Sequence, residues 1–125
     1  MTTLFDIAQN WLNQDPDAET HAELTALLTA AKNGDEKAQS ELQARFSGRL
    51  QFGTAGLRGP LQAGSMGMNR VLVAQAAGGL ADYLKDYDKQ PSIVIGYDGR
   101  KNSDVFARDT AEIMAGAGVK AYLLP

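Results

Sequence analysis

Apolar positions recur at helical spacing through the first 48 residues and then lose that period. Leu4, Phe5, Ala8, Trp11 and Leu12 lie on one face of a 3.6-residue repeat, which predicts a helix. Asp15-Pro16-Asp17 breaks it and offers a cap, with proline suited to a first helical turn. Thr20-His21-Ala22-Glu23 reads as an alternative capping box. Ala22, Leu24, Leu27, Leu28 and Ala31 form the next apolar face, and Asn33-Gly34 ends it. Asp35 caps a third helix, with Ala38, Leu42 and Phe46 four residues apart.

From Leu50 to Ser65 the chain is rich in glycine and short of periodicity, which predicts a short strand entering a loop, then a second strand or turn near Pro60-Leu61-Gln62-Ala63. Asn69 caps a helix whose buried stripe is expected at Leu72, Ala76, Leu80, Tyr83, Leu84 and Tyr87. Gly78-Gly79 inside it weakens the helix by about 1 kcal/mol per glycine relative to alanine, and close packing is the usual reason for such a pair. Ser92 to Tyr97 is a β-branched run of the kind found in buried strands. Asp98 to Lys101 is its exit loop, and Asn102 or Ser103 caps a helix bearing Phe106, Thr110, Ile113, Met114 and Ala117. Gly116-Ala117-Gly118 stops that helix before a second strand, Val119 to Leu124. Strand, helix and strand in this order predict a βαβ unit with parallel strands, and ligands of such sheets gather at the strands' carboxyl ends. The predicted class is α/β: a helical extension over residues 1–48, then an α/β part over residues 49–125.

The chain has 125 residues, 44% of them hydrophobic, enough for a core. It has no cysteine, which excludes disulfides, thiolate metal sites and a cysteine nucleophile. No apolar run is long enough to span a bilayer and the first residues carry no basic segment, so the expected setting is the cytoplasm, with no membrane partner. A net charge of −3 disfavours nonspecific nucleic-acid binding. That charge is uneven. Residues 1–48 hold eight acids and three bases, residues 49–125 seven acids and nine bases. The basic excess lies with the glycine-rich part, as an anionic ligand requires, although ordinary surface scatter gives similar numbers.

The candidate chemistry sits in Gln51-Phe52-Gly53-Thr54-Ala55-Gly56-Leu57-Arg58-Gly59. Gly53, Gly56 and Gly59 shape a loop whose backbone can approach a ligand closely. Arg58 supplies a forked, permanently charged donor for phosphate, and Thr54 a hydroxyl, which in a bland turn would bond its own backbone. Arg100 and Lys101 precede a predicted helix start, where the macrodipole disfavours cations. A bound anion would resolve that conflict, and so would Asp98 or Asp104; Asp98 and Arg100 therefore read as a site rim or as a plain ion pair. Arg70 after Asn69 is a weaker case of the same kind. His21, the only histidine, falls on a polar helix face, and Trp11, the tyrosines and the methionines read as core. The glycine spacing is not the dinucleotide fingerprint, and no phosphate-loop lysine motif occurs.

FGTAGLRG followed downstream by VIGYDGRKNS resembles the first domain of the α-D-phosphohexomutases, especially the long bacterial phosphoglucomutases and phosphomannomutases, over about Trp11 to Pro125. The resemblance implies an isomerase. A phosphoserine converts glucose 1-phosphate to glucose 6-phosphate through glucose 1,6-bisphosphate, with Mg2+ neutralising the transferring charge. It places Arg58 at the active centre. It also implies that the nucleophilic serine, the magnesium loop and the sugar-reading domain lie downstream of Pro125. This chain would then be the incomplete first domain, inactive alone, with an exposed sheet edge near Tyr122-Leu123-Leu124 that favours self-association. Phosphomannose or phosphopentose as substrate, and a non-catalytic phosphosugar-binding or structural module, are the alternatives.

Overall fold

The computed structural model describes residues 3–54 and 56–125. The chain divides into two compact units, Met1–Leu72 and Val73–Pro125. In the first, three helices follow one another: α1 (Leu4–Gln14), α2 (Ala18–Lys32) and α3 (Glu36–Arg45). Each starts on a side chain that satisfies orphan amides. Thr3 and Asp6 form a reciprocal capping box on α1, Asp17 accepts from the Glu19 amide on α2, and Asp35 accepts from the Ala38 amide on α3. The cap of α2 is thus Asp17, and Thr20 lies inside the helix, its hydroxyl on Asp15. Pro16 sits just before the cap rather than in the first turn. Asn33 is the C-cap of α2, and Gly34 follows with φ +93°.

The three helices close on Ala8, Trp11, Leu12, Leu24, Leu28, Ala31, Ala38 and Leu42, with Trp11 edge-on to Phe46 at 5.6 Å. Ala22, expected on this apolar face, is exposed, and so is His21. Ala63, Val71 and Leu72 belong to the same core.

Helix α4 (Arg70–Tyr87) begins in the first unit and runs on into the second. Asn69 caps it, its Oδ1 accepting from the Leu72 amide at 2.9 Å. The stripe expected on α4 is corrected. Val71, Leu72, Ala77 and Ala81 are buried, whereas Leu80, Tyr83 and Tyr87 are exposed, Tyr83 stacking on Tyr87. Leu72 is buried and Leu84 packs against the second unit's core as expected, but at about 100° per residue Ala77, Ala81 and Leu84 share one face, which turns Leu80, Tyr83 and Tyr87 away from it. The close packing expected at Gly78-Gly79 is also absent, since nothing among the described residues lies within 4 Å of a Cβ built at either position.

The second unit holds β3 (Ser92–Ile95), α5 (Ser103–Gly116) and β4 (Lys120–Leu123). The two strands pair in parallel, Ser92 with Lys120 through Ile95 with Leu123. Ala77, Ala81, Met114 and Val119 form its core, with Leu84, Ile93, Ile113, Ala117 and Ala121 against them. The βαβ unit is as expected. The burial of β3 is not: Ile93 and Ile95 face the core, but Val94 is 64% exposed and shares an open face with Tyr122. Tyr97 and Tyr122 are likewise exposed, so the tyrosines are surface residues. The fold class is α/β.

Candidate functional site

The motif at 51–59 is a tight hairpin. Strand β1 (Phe52–Gly53) pairs antiparallel with β2 (Gly56–Leu57), Phe52 opposite Leu57 and Gly53 opposite Gly56. The expected entering strand is β1, and the motif contributes the return strand as well. Gly56 has φ +107°, a conformation that side chains rarely adopt. Thr54 lies at the tip and Arg58 follows β2; both are exposed. Ala55 lies outside the described residues. Gly59 lies against the Leu50 side chain: a Cβ there would lie 2.6 Å from Leu50 Cδ1, the end of a flexible side chain.

After Gly59 the chain does not wander. The Pro60 carbonyl accepts from the Met68 amide at 2.7 Å, and Leu61 bridges Met68. This is the turn-or-strand expected near Pro60. Buried Asn69 donates through Nδ2 to the carbonyls of Gln62, Gly64 and Gly67, at 2.8, 2.8 and 3.2 Å. One asparagine thus caps α4 and gathers the loop before it. The backbone of Leu50 donates to Ser65 at 3.0 Å, and the Ser65 hydroxyl donates to the Gly48 carbonyl. Arg70 reaches the Pro16 carbonyl at 3.5 Å.

Asp98 and Arg100 lie in the second unit, on the exit loop of β3. Asp98 and Arg100 form an ion pair, with Arg100 Nε 3.4 Å from Asp98 Oδ2. Asp98 Oδ1 also accepts from the Ser103 hydroxyl at 2.6 Å and from the Arg100 amide at 3.1 Å. These bonds, Ser103 first, hold the Asp98 carboxyl below the usual aspartate range. The carboxylate therefore supplies the negative charge wanted at the start of α5. Asn102 occupies the cap position with φ +68° but makes no side-chain capping bond, so Asp98 and Ser103 do the local anchoring instead. Ile95, Gly96, Tyr97, Asp98, Ser103 and Phe106 line much of an open cavity of about 520 Å³ at this strand end.

Among the described residues no group of three or more His, Asp or Glu side chains converges to hold a metal ion. Magnesium implied by the resemblance is therefore assigned no ligand here. No helix of the described residues is long and apolar enough to cross a membrane.

Sequence reasoning found the glycine motif and its entering strand but missed the return strand β2 and the contacts of Glu23 and Arg45. Glu23 Oε1 accepts from the Ala63 amide at 3.1 Å and from Arg45, which also donates to Glu41 at 3.0 Å. Burial lowers the affinity of Arg45 for its proton, but its bonds to the two glutamates outweigh that and leave its pKa raised. No local motif carries this contact, because its partners stand 40 residues apart.

Comparison with known proteins places this geometry. Residues 49–125 match the family model for phosphoglucomutase/phosphomannomutase, alpha/beta/alpha domain I. A probable phosphomannomutase of Haemophilus influenzae is 93% identical over 60 residues, 48% of this chain and 12% of that protein. A phosphoribomutase of Saccharomyces cerevisiae is 42% identical over 115 residues, 91% of this chain and 18% of its own. A phosphoglucomutase of Staphylococcus haemolyticus is 45% identical over 78 residues, covering 62% and 14%. The chain thus spans less than a fifth of the length of these three relatives. No solved structure matches it at the same level of significance. With most of its length matched by domain I, the chain belongs to the phosphoglucomutase/phosphomannomutase family.

Proposed function

We propose that this chain supplies part of the substrate cleft of a phosphosugar mutase, with Arg58 as its phosphate contact. The observation that carries the reading is an exposed arginine held directly after a glycine hairpin, inside the segment that matches the family domain. A guanidinium there can fork onto phosphate oxygens, and Thr54 at the tip can donate its hydroxyl. Asp98 and Arg100 are proposed as rim residues. The Arg100 side chain stays 86% exposed despite its ion pair, which leaves donors for an anion. Gly53, Gly56 and Gly59 set the backbone. Residues 1–48 form a helical extension and residues 49–125 the catalytic domain's opening part, a division supported by where the family match begins.

The parent reaction we propose is glucose 1-phosphate to glucose 6-phosphate through glucose 1,6-bisphosphate, with Mg2+ and the nucleophile supplied by residues outside this chain. Positioning and charge stabilisation dominate such transfers, and this is the contribution Arg58 can make. Phosphomannose or phosphopentose is the second reading, favoured by the names of the Haemophilus and yeast relatives. A cytoplasmic setting and self-association through the β4 edge belong to the same proposal.

Calorimetric titration with glucose 1,6-bisphosphate tests it. Arg58→Ala should weaken binding about ten- to a hundredfold, the loss of charge-assisted bonds of about 1.5–3 kcal/mol. Equal affinity of the two proteins refutes a phosphate role for Arg58. The 125-residue chain with magnesium should not turn over glucose, mannose or ribose 1-phosphate; robust turnover refutes the assignment of catalysis to residues elsewhere.

A further inference from the structure

Glu23 and Arg45 fasten the segment after the hairpin to the helical extension, Glu23 through its carboxylate and Arg45 through its backbone carbonyl. Glu23 projects from the middle of α2 and its Oε1 takes two donors, the Ala63 amide and the Arg45 guanidinium. Arg45, the last residue of α3, also uses its backbone. Its carbonyl accepts from the Met66 amide at 3.0 Å, and Gly64, at φ +104°, is seated so tightly that a Cβ would lie 2.7 Å from that carbonyl oxygen. Ala63 is fully buried. Glu23 and Arg45 together therefore fix the segment at residues 63, 64 and 66.

This hold reaches Arg58 along a short, stiff path. Gln62 is tied to Asn69, Pro60 to Met68, and Gly59 is packed on Leu50, whose own amide is bonded to Ser65. Proline fixes its own φ and restricts the residue before it. Little freedom is left between Ala63 and Arg58.

We propose that Glu23, with Arg45, is a positioning residue for the Arg58 phosphate contact, so that the helical extension sets the geometry of the site. Both residues lie outside the stretch matched by the family domain. The inference rests on the phosphate reading of Arg58 for its functional meaning but makes a separate structural claim. Arg45 is paired with two carboxylates, and only Glu23 among them contacts the loop segment, so Glu41 is an internal control. Losing either glutamate removes one charge from Arg45. Losing Glu23 also orphans the buried Ala63 amide.

The experiment compares Glu23→Ala, Glu23→Gln and Glu41→Ala in the whole 125-residue chain. It uses backbone amide resonances and titration with glucose 1,6-bisphosphate. Glu23→Ala should shift the amides of Gly56, Leu57, Arg58 and Gly59 and weaken binding about tenfold, while the resonances of α1 and α2 stay dispersed. Glu23→Gln keeps a carbonyl acceptor and should restore most of both. Glu41→Ala should change neither, even where it lowers the unfolding midpoint. Unmoved hairpin amides in Glu23→Ala, or equal effects of Glu23→Ala and Glu41→Ala, overturn the proposal. If Glu23→Ala unfolds the chain, Glu23→Gln carries the test against Glu41→Ala: hairpin amides moved more by Glu23→Gln than by Glu41→Ala uphold the proposal, and equal or smaller shifts overturn it. If the wild-type chain binds no bisphosphate, the phosphate reading falls, and the hairpin amides alone decide whether Glu23 positions the loop.

Discussion

Single residues decide how firmly the hairpin region is built, and the glycines are not equivalent. Gly56 and Gly64 both have φ above +100°, but nothing among the described residues lies within 4 Å of a Cβ built at Gly56, while Gly64 abuts a backbone carbonyl. Gly56→Ala should cost about 1–2 kcal/mol from strain alone. Gly64→Ala should cost clearly more, about 3–4 kcal/mol, because the Arg45 carbonyl cannot swing away without releasing Met66. Urea unfolding of both variants checks the order; a smaller loss at Gly64 would contradict the packing described. Asp98 offers a test by pH. Its pKa is depressed below 3.8, so the stabilisation it provides is complete above the unfolded value and fades as pH falls through the lower folded one. The group is exposed, and the effect on stability is small. A carboxyl titration followed by NMR should find Asp98 among the last aspartates to take a proton. Ser103→Ala should raise its pKa, since the hydroxyl is the leading cause of the depression.

At the scale of elements, what could be read from sequence was local. The caps at Asp17, Asp35 and Asn69 are legible because an Asp or Asn before an apolar repeat acts within three residues. The βαβ order follows from two β-branched runs around one periodic stretch. Helix α4 was misread because it carries apolar residues on more than one face. Leucine and tyrosine carry more apolar surface than alanine, yet Ala77 and Ala81 are buried while Leu80, Tyr83 and Tyr87 are exposed. The Glu23–Ala63 contact could not be read at all, because a carboxylate meeting a backbone amide 40 residues away leaves no pattern. Helix α4 also yields a prediction. Gly78 and Gly79 sit mid-helix with nothing among the described residues within 4 Å of either Cβ position. Gly78→Ala and Gly79→Ala should each stabilise the chain by up to about 1 kcal/mol, visible as a rise in Tm. No rise, or a fall, would mean that something covers this face.

For the whole molecule, the outer edge of β4 is where the proposed self-association is tested. The amides of Lys120 and Leu124 donate to Pro91 and Ile95, at 3.0 and 2.9 Å. Alternation therefore turns the backbone groups of Ala121 and Leu123 outward. A second chain paired antiparallel with Tyr122 opposite itself would set Lys120 against Leu124, so no like charges meet. Light scattering should show dimers that Tyr122→Lys suppresses by opposing two cations. A clean monomer at high concentration removes this expectation.

The two compact units also differ in colour. The only tryptophan, Trp11, is buried in the first, against Phe46, while all four tyrosines, at 83, 87, 97 and 122, lie in the second. Indole emission thus reports on the helices that anchor the hairpin, and the phenol ring resonances in NMR on the second unit, with no label added. Melting the chain while following both signals tells whether the two halves come apart together, since a single cooperative transition gives one midpoint in both channels.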